Sequence, residues 1–278
     1  MFKRIFYLFQ LTRPLNVLIT FLSVLVATIL VSGNWVFFRV LIACLSAALT
    51  AGAGNALNDC YDLEIDRINK PFRPIPSGKV RLRDAFVLAI VLFVVSLGMS
   101  ITLGIPELII VSSAIVLLWA YATVLKRVAL VGNFVVSFLG GLAFLLGGTV
   151  VFATAAGFIP ALFAFLFHLG REIVKDVEDM KADAALGSQT LPIKIGMRPA
   201  LICAAVAFGI LAALSPFPFT FGLYRWPYFL VVFFGVDLVL LALMIWLLIV
   251  PSNRNLRTAS AVLKADMLIG LLAIFLGR

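Results

Sequence analysis

Apolar runs of about 20 residues, each long enough to cross a bilayer as a helix, recur along the whole of the 278-residue chain. They fall near 15–33, 36–57, 84–103, 106–124, 130–151, 155–178, 197–214, 226–249 and 258–277. Inside hydrocarbon no water is present to satisfy backbone N–H and C=O groups, so such runs must hydrogen-bond within themselves as helices. The chain is therefore expected to be an all-α, polytopic membrane protein of about nine transmembrane helices. Composition agrees: 63% of residues are hydrophobic, only 13% are charged, and mean hydropathy is +1.16. A soluble domain has about 25% charged residues, and polar surface this scarce could not cover a globule in water.

A net charge of +9 would suit a nucleic-acid partner in a soluble protein. Here the charges sit in the gaps between apolar runs, which is the pattern of membrane topology, and no nucleic-acid partner is expected. With nine spans and a cytoplasmic N-terminus, all but three of the 22 Lys and Arg residues fall on the cytoplasmic side. The exceptions are Arg39, Arg225 and Arg278. This bias predicts a multi-pass cell-membrane protein with its N-terminus inside. Lys3 and Arg4 ahead of a short apolar stretch have the look of a leader, but Arg13-Pro14 interrupts it and no small-residue cleavage site follows. A short interfacial amphipathic helix, with Phe2, Ile5, Phe6 and Phe9 on its apolar face, fits better. Cys44, Cys60 and Cys203 lie far apart, without metal-type spacing or a disulfide framework.

The two longest polar segments, 58–83 and 179–196, both fall on the predicted cytoplasmic side. Ten of the thirteen acids lie in or beside them: Asp59, Asp62, Glu64, Asp66, Asp84, Glu172, Asp176, Glu178, Asp179 and Asp183. A weak internal repeat relates the segments. Asp62-x₃-Asp66 precedes Pro76 by 14 residues, counted from Asp62, and Asp179-x₃-Asp183 precedes Pro192 by 13, counted from Asp179. Residues 1–278 are accordingly read as one domain of two pseudo-repeated halves, about 1–125 and 126–278.

Asn58, Asp62 and Asp66 recur at i, i+4 and i+8, and Asp176, Asp179 and Asp183 at i, i+3 and i+7. On a helix each set forms one stripe. Carboxylates at the end of a span are costly without a counter-charge. A hard divalent cation with oxygen ligands supplies one, and Mg²⁺ usually takes one or two carboxylates together with phosphate oxygens. Basic residues nearby (Arg67, Lys70, Arg73, Lys126, Arg127) suit a diphosphate bridged to those carboxylates by metal. A single stripe is equally compatible with a solvated helix end laced by ion pairs. Two stripes in a chain so poor in charge elsewhere point to a ligand.

The two signatures, Asn-x₃-Asp-x₃-Asp after the second run and Asp-x₂-Asp-x₃-Asp after the sixth, resemble those of the UbiA superfamily of intramembrane prenyltransferases. So do Arg-Pro-x-Pro-Ser-Gly at 73–78, Tyr121 with Lys126-Arg127, and Arg13-Pro14. The resemblance implies a ring of helices around a central cavity open to lipid, with cytoplasmic caps formed by the two polar loops. It implies Mg²⁺ held by Asn58, Asp62 and Asp66, and by Asp179 and Asp183 with Asp176 in support. Lys126, Arg73, Arg67 and Arg127 would serve the diphosphate of an isoprenyl donor, with Tyr121 nearby. The implied reaction is ionisation of the donor followed by capture of the allylic cation by a lipid-like acceptor.

The stretches 171–179 and 187–192 are most similar to the archaeal branch that makes digeranylgeranylglyceryl phosphate. That branch implies O-alkylation of geranylgeranylglyceryl phosphate by geranylgeranyl diphosphate. An anionic acceptor needs a second positive site, for which Arg13, near Asn16, is the candidate. Alternatives are an aromatic (4-hydroxybenzoate or naphthoate) polyprenyltransferase of quinone synthesis and, more distantly, a divalent-cation transporter. Among the other polar residues, His168 lies near the acidic face, either lining the cavity or hydrogen-bonded between helices. Asp237 and Asp266 are expected to pair structurally, with Lys264 or an interhelical donor, and Asn133 to serve packing.

Overall fold

The computed structural model describes residues 2–31, 36–185 and 187–278, with side chains at all of these except Phe2 and Asn69. Ser32 and Gly33, at the end of the first expected run, and the Phe2 side chain therefore lie outside the described residues.

Regular structure among the described residues is helical. In chain order the helices are α1 (Phe2–Leu11), α2 (Pro14–Ile29), α3 (Phe37–Tyr61), α4 (Leu63–Asn69), α5 (Leu82–Ile101), α6 (Ile105–Thr123) and α7 (Val131–Val150). There follow α8 (Thr154–Ala185), α9 (Leu191–Ile195), α10 (Met197–Leu214), α11 (Phe217–Thr220), α12 (Trp226–Val232), α13 (Leu238–Ile249) and α14 (Asn253–Leu276). A π-helical turn, Phe233–Asp237, joins α12 to α13 within one span. Prolines open several helices where a missing N–H costs nothing, as Pro14 does in α2, Pro106 in α6 and Pro227 in α12.

Eight helical stretches are long and apolar enough to cross a membrane, and α1 with α2, bent by 53°, makes a ninth. The bend falls on Arg13, whose backbone is left-handed at φ 52, a conformation uncommon for a residue other than glycine. Each expected run thus finds a helix. In α1 the side chains of Ile5, Phe6 and Phe9 are exposed, as an interfacial helix requires.

Helices α2, α3, α6, α7, α8 and α14 pack in sequence into a ring, with α14 closing back onto α2. The other long helices lie outside it: α5 against α3, and α10 against α8. Val87, Val91 and Val94 leave α5's outer face to lipid. Glycines permit close approaches between these helices. A Cβ on Gly157 would lie 2.6 Å from the Phe144 carbonyl oxygen of α7, and one on Gly170 would lie 2.6 Å from the Phe208 ring of α10. Ser260 of α14 donates to Glu178 of α8 at 2.5 Å, which helps set α14 in the ring.

Lipid tails are as apolar as leucine, so hydrogen bonds between helices help choose partners. Thr50 and Ser96 hydroxyls meet at 2.5 Å, and Ser46 Oγ donates to the Ser96 carbonyl at 3.0 Å, joining α3 to α5. Replacing Ser96 by alanine is expected to lower stability by about 0.6–1.7 kcal/mol, read as an earlier thermal transition with unchanged activity.

Candidate active site

The first motif sits where α3 gives way to α4. The helix kinks at Asp62, so Asn58, Asp62 and Asp66 do not share one straight helix as their spacing suggested. The ladder nevertheless persists through the kink, with Asp62 N donating to Asn58 O at 2.9 Å and Asp66 N to Asp62 O at 2.7 Å. The side chains stay together as well: Asn58 Nδ2 donates to Asp62 Oδ2 at 2.6 Å. From the 3₁₀ turn Leu125–Arg127 after α6, Lys126 Nζ donates to Asp62 Oδ1 at 2.5 Å and to Asn58 Oδ1 at 3.3 Å.

After α4 the chain folds back on itself, with Ser77 N donating to Arg73 O and Gly78 at φ 75. That turn returns the Arg73 guanidinium to the motif, 2.5 Å from Asp66 Oδ2 and 3.3 Å from Asp59 Oδ1. Asp59, buried, also takes Arg13 at 2.5 Å. Asp66 is only 3% exposed. Burial raises its pKa above the ordinary carboxylate range, while Arg73 pulls the other way. A carboxyl whose folded pKa is raised favours folding below its unfolded pKa, near about 4, and that contribution is lost as pH rises through the folded pKa.

The second motif lies on the unbroken last turns of α8. Asn133 of α7 donates to Asp176 at 2.8 Å, so this residue reaches the motif rather than serving packing alone. Lys70, after α4, stands 3.9 Å from Asp179 and links the two motifs. Asp183 makes no ion pair or side-chain hydrogen bond among the described residues and lies within electrostatic reach of Asp179, Asp62 and Lys70. Gln189 N donates to Arg127 O at 3.0 Å, tying the loop after α8 to the turn that carries Lys126.

Two further expected residues point elsewhere. Arg67 is exposed and pairs with Glu64 at 2.7 Å, and the Arg127 side chain is exposed. Both follow the outer side of their turns, leaving Arg73 and Lys126 as the cations on Asp66 and Asp62.

Beneath the motifs the ring encloses a cavity of about 400 Å³. Its upper wall is polar, with Arg13, Asn58, Arg73, Tyr121, Arg171 and Lys175 among the lining residues, while Val111, Leu139 and Leu146 line its apolar part. His168 lines this cavity, the first of the two roles considered for it. Lys264 of α14 also lines it and does not pair with Asp266. Asp237 finds an interhelical donor instead, Ser215 Oγ at 2.6 Å, and Tyr228 donates to the Ser215 carbonyl at 2.7 Å. Both Asp266 oxygens are buried without a hydrogen-bond partner among the described residues. Sequence reasoning did not single out Asp59, Arg171 or Lys175 as site residues. The only signal for Asp59 was its place beside Asn58.

The donor set of both motifs is all oxygen, as a hard cation prefers. Among the described residues, no three His, Cys, Asp or Glu side chains converge at metal-binding distance. Asp62 and Asp66 instead hold Lys126 and Arg73, while Asp183 has no cation of its own. The donors fit Mg²⁺ in chemistry, and protein cations balance the charge of Asp62 and Asp66 in this structure.

The sequence profile of the UbiA prenyltransferase family matches residues 16–269. The digeranylgeranylglyceryl phosphate synthase of Methanopyrus kandleri is 40% identical over 264 residues, covering 95% of this chain and 96% of its own length. A solved structure concerning digeranylgeranylglyceryl phosphate synthase in membranes superposes with a TM-score of 0.79 at 32% identity, over 99% of this chain and 98% of that one. A UbiA homolog from Archaeoglobus fulgidus, bound to GPP and Mg²⁺, superposes with a TM-score of 0.65 over 96% of this chain and 99% of its own. At 17% identity it shares the fold.

Proposed function

This chain belongs to the UbiA prenyltransferase family, and from that premise we propose that it transfers a geranylgeranyl group from geranylgeranyl diphosphate to the glycerol hydroxyl of geranylgeranylglyceryl phosphate in archaeal ether-lipid synthesis. One observation carries the reading: a single cavity has Asn58, Arg73, Arg171, Glu172 and Lys175 at the end beside the aspartate motifs and apolar walls elsewhere. An isoprenyl diphosphate has that same division of chemistry along its length.

Asn58, Asp62 and Asp66, together with Asp179 and Asp183 and supported by Asp176, would hold Mg²⁺. The metal, when bound, neutralises charge on the leaving diphosphate. As the allylic C–O bond breaks, its electron pair departs with the diphosphate, and Lys126 and Arg73 stabilise the charge that develops there. Tyr121 stands in the adjoining wall. Leu139, Val111 and Leu146 keep water from the allylic cation until the acceptor oxygen forms the new ether bond and loses its proton. The N-terminus and both motifs face the cytoplasm in this reading, supported by the distribution of Lys and Arg.

The test is transfer from labelled geranylgeranyl diphosphate by purified protein, offered geranylgeranylglyceryl phosphate or 4-hydroxybenzoate in turn. Ether product from the glyceryl phosphate, lost on chelation and restored by Mg²⁺, is expected. Product from the aromatic acceptor alone would replace this reading with quinone-precursor prenylation. A transporter is disfavoured because these carboxylates gather at one end of the bundle beside cations that would repel a travelling metal.

A further inference from the structure

The cavity carries more positive charge than the aspartate motifs account for. Arg13, Arg171, Lys175 and Lys264 all line it, from the α1–α2 turn, α8 and α14. Two carboxylates answer three of these cations. Asp59 takes Arg13 at 2.5 Å, and Glu172 takes Arg171 and also Lys175, the latter at 3.4 Å. Lys264 makes no ion pair or side-chain hydrogen bond among the described residues, although it lies in the middle of a membrane-spanning helix. It also stands within electrostatic reach of Arg171, Arg13 and Lys175. An unpaired ammonium inside a span marks a site whose counter-charge arrives from elsewhere.

Two features separate this group from the donor's end of the cavity. Lys126 and Arg73, the cations on the first motif, come from the loops after α6 and α4. Arg171 precedes the second motif on α8 by more than a turn, Lys175 adjoins it beside Asp176, and Lys264 reaches in from the neighbouring helix.

We propose that Lys264, with Arg171 and Lys175, forms a second anion site that holds the phosphate monoester of the lipid acceptor. The proposal rests on the prenyl-transfer reading and deepens it. A phosphate monoester carries about −1.5 to −2 charges at neutral pH and three acceptor oxygens. That matches a wall with two cations in excess, whose donors come from two helices. Lysine suits the role because its compact ammonium meets phosphate as a point charge. Arg13, already committed to Asp59, contributes field rather than a free hand.

The experiment compares kcat/KM for geranylgeranylglyceryl phosphate and for its neutral counterpart lacking phosphate, geranylgeranylglycerol. It uses the full-length wild-type protein, Lys264→Gln and Lys264→Arg. The wild type is expected to prefer the phosphorylated acceptor. Lys264→Gln should lose about tenfold or more of that preference through the acceptor's KM, and Lys264→Arg should recover most of it. Donor KM, and the slow release of diphosphate without acceptor, should stay as in wild type and show the donor site intact. Should Lys264→Gln not fold, Lys175→Gln is expected to shift the preference in the same direction.

An unchanged preference in a variant that still releases diphosphate overturns the proposal. So does a loss that appears in donor KM, since the group would then serve the donor. If the wild type alkylates neither glyceryl lipid, the prenyl-transfer reading itself falls, and the site with it.

Discussion

Asp62→Asn is expected to slow prenyl transfer by about 10²–10³-fold, the usual loss when one preorganised group that stabilises developing charge is removed. Asp62 stands at the kink between α3 and α4, where Lys126 and Asn58 both reach its carboxylate. Asparagine keeps a carbonyl oxygen for Lys126 but removes the negative charge proposed to hold Mg²⁺. The kink should survive, because its backbone hydrogen bonds through residue 62 do not use the side chain. The unfolding transition of metal-free protein should therefore move little, while single-turnover consumption of labelled donor falls. Near-wild-type turnover would remove Asp62 from the metal site.

Arg73→Ala should act on stability and donor binding together. Its guanidinium spans Asp66 at 2.5 Å and Asp59 at 3.3 Å, and both carboxylates are buried. Removing one partner of a buried ion pair usually costs about 3–5 kcal/mol, because a charge is left without compensation. Asp59 keeps Arg13, so the deficit falls on Asp66. If Asp66 belongs to the metal site, Mg²⁺ replaces the missing charge. The thermal transition of the variant should then rise more with added Mg²⁺ than that of the wild type. The donor's KM should rise as well, since Arg73 is proposed to meet the diphosphate. Equal Mg²⁺ shifts in the two proteins would place the metal away from Asp66.

The spacing of Asn58, Asp62 and Asp66, and of Asp176, Asp179 and Asp183, was legible because helical geometry puts i, i+4 and i+3 neighbours on one face. Which cation would meet which carboxylate was not. Arg67 and Arg73 share one polar segment, and both were candidates for the diphosphate. The turn after α4 sends Arg73 back to Asp66 and Asp59, while Arg67 stays outside on Glu64. No local propensity distinguishes them, because the choice depends on where a folded loop returns. Lys70 shows the same limit, since its link to Asp179 crosses from one motif loop to the other.

Nine apolar runs, the concentration of charge on one side and the two acidic stripes followed from the chain alone. A bilayer allows little besides helices for such runs, and the acids are too few to be scattered by chance of composition. The ring decided the rest. Helices that are apolar around most of their circumference carry little signal for which face turns inward. Lys264, Arg171 and Lys175 became neighbours in one cavity wall only when α14 packed between α2 and α8. That Asp266 does not pair with Lys264, by contrast, is local: an i, i+2 spacing places the two side chains on different faces of the helix.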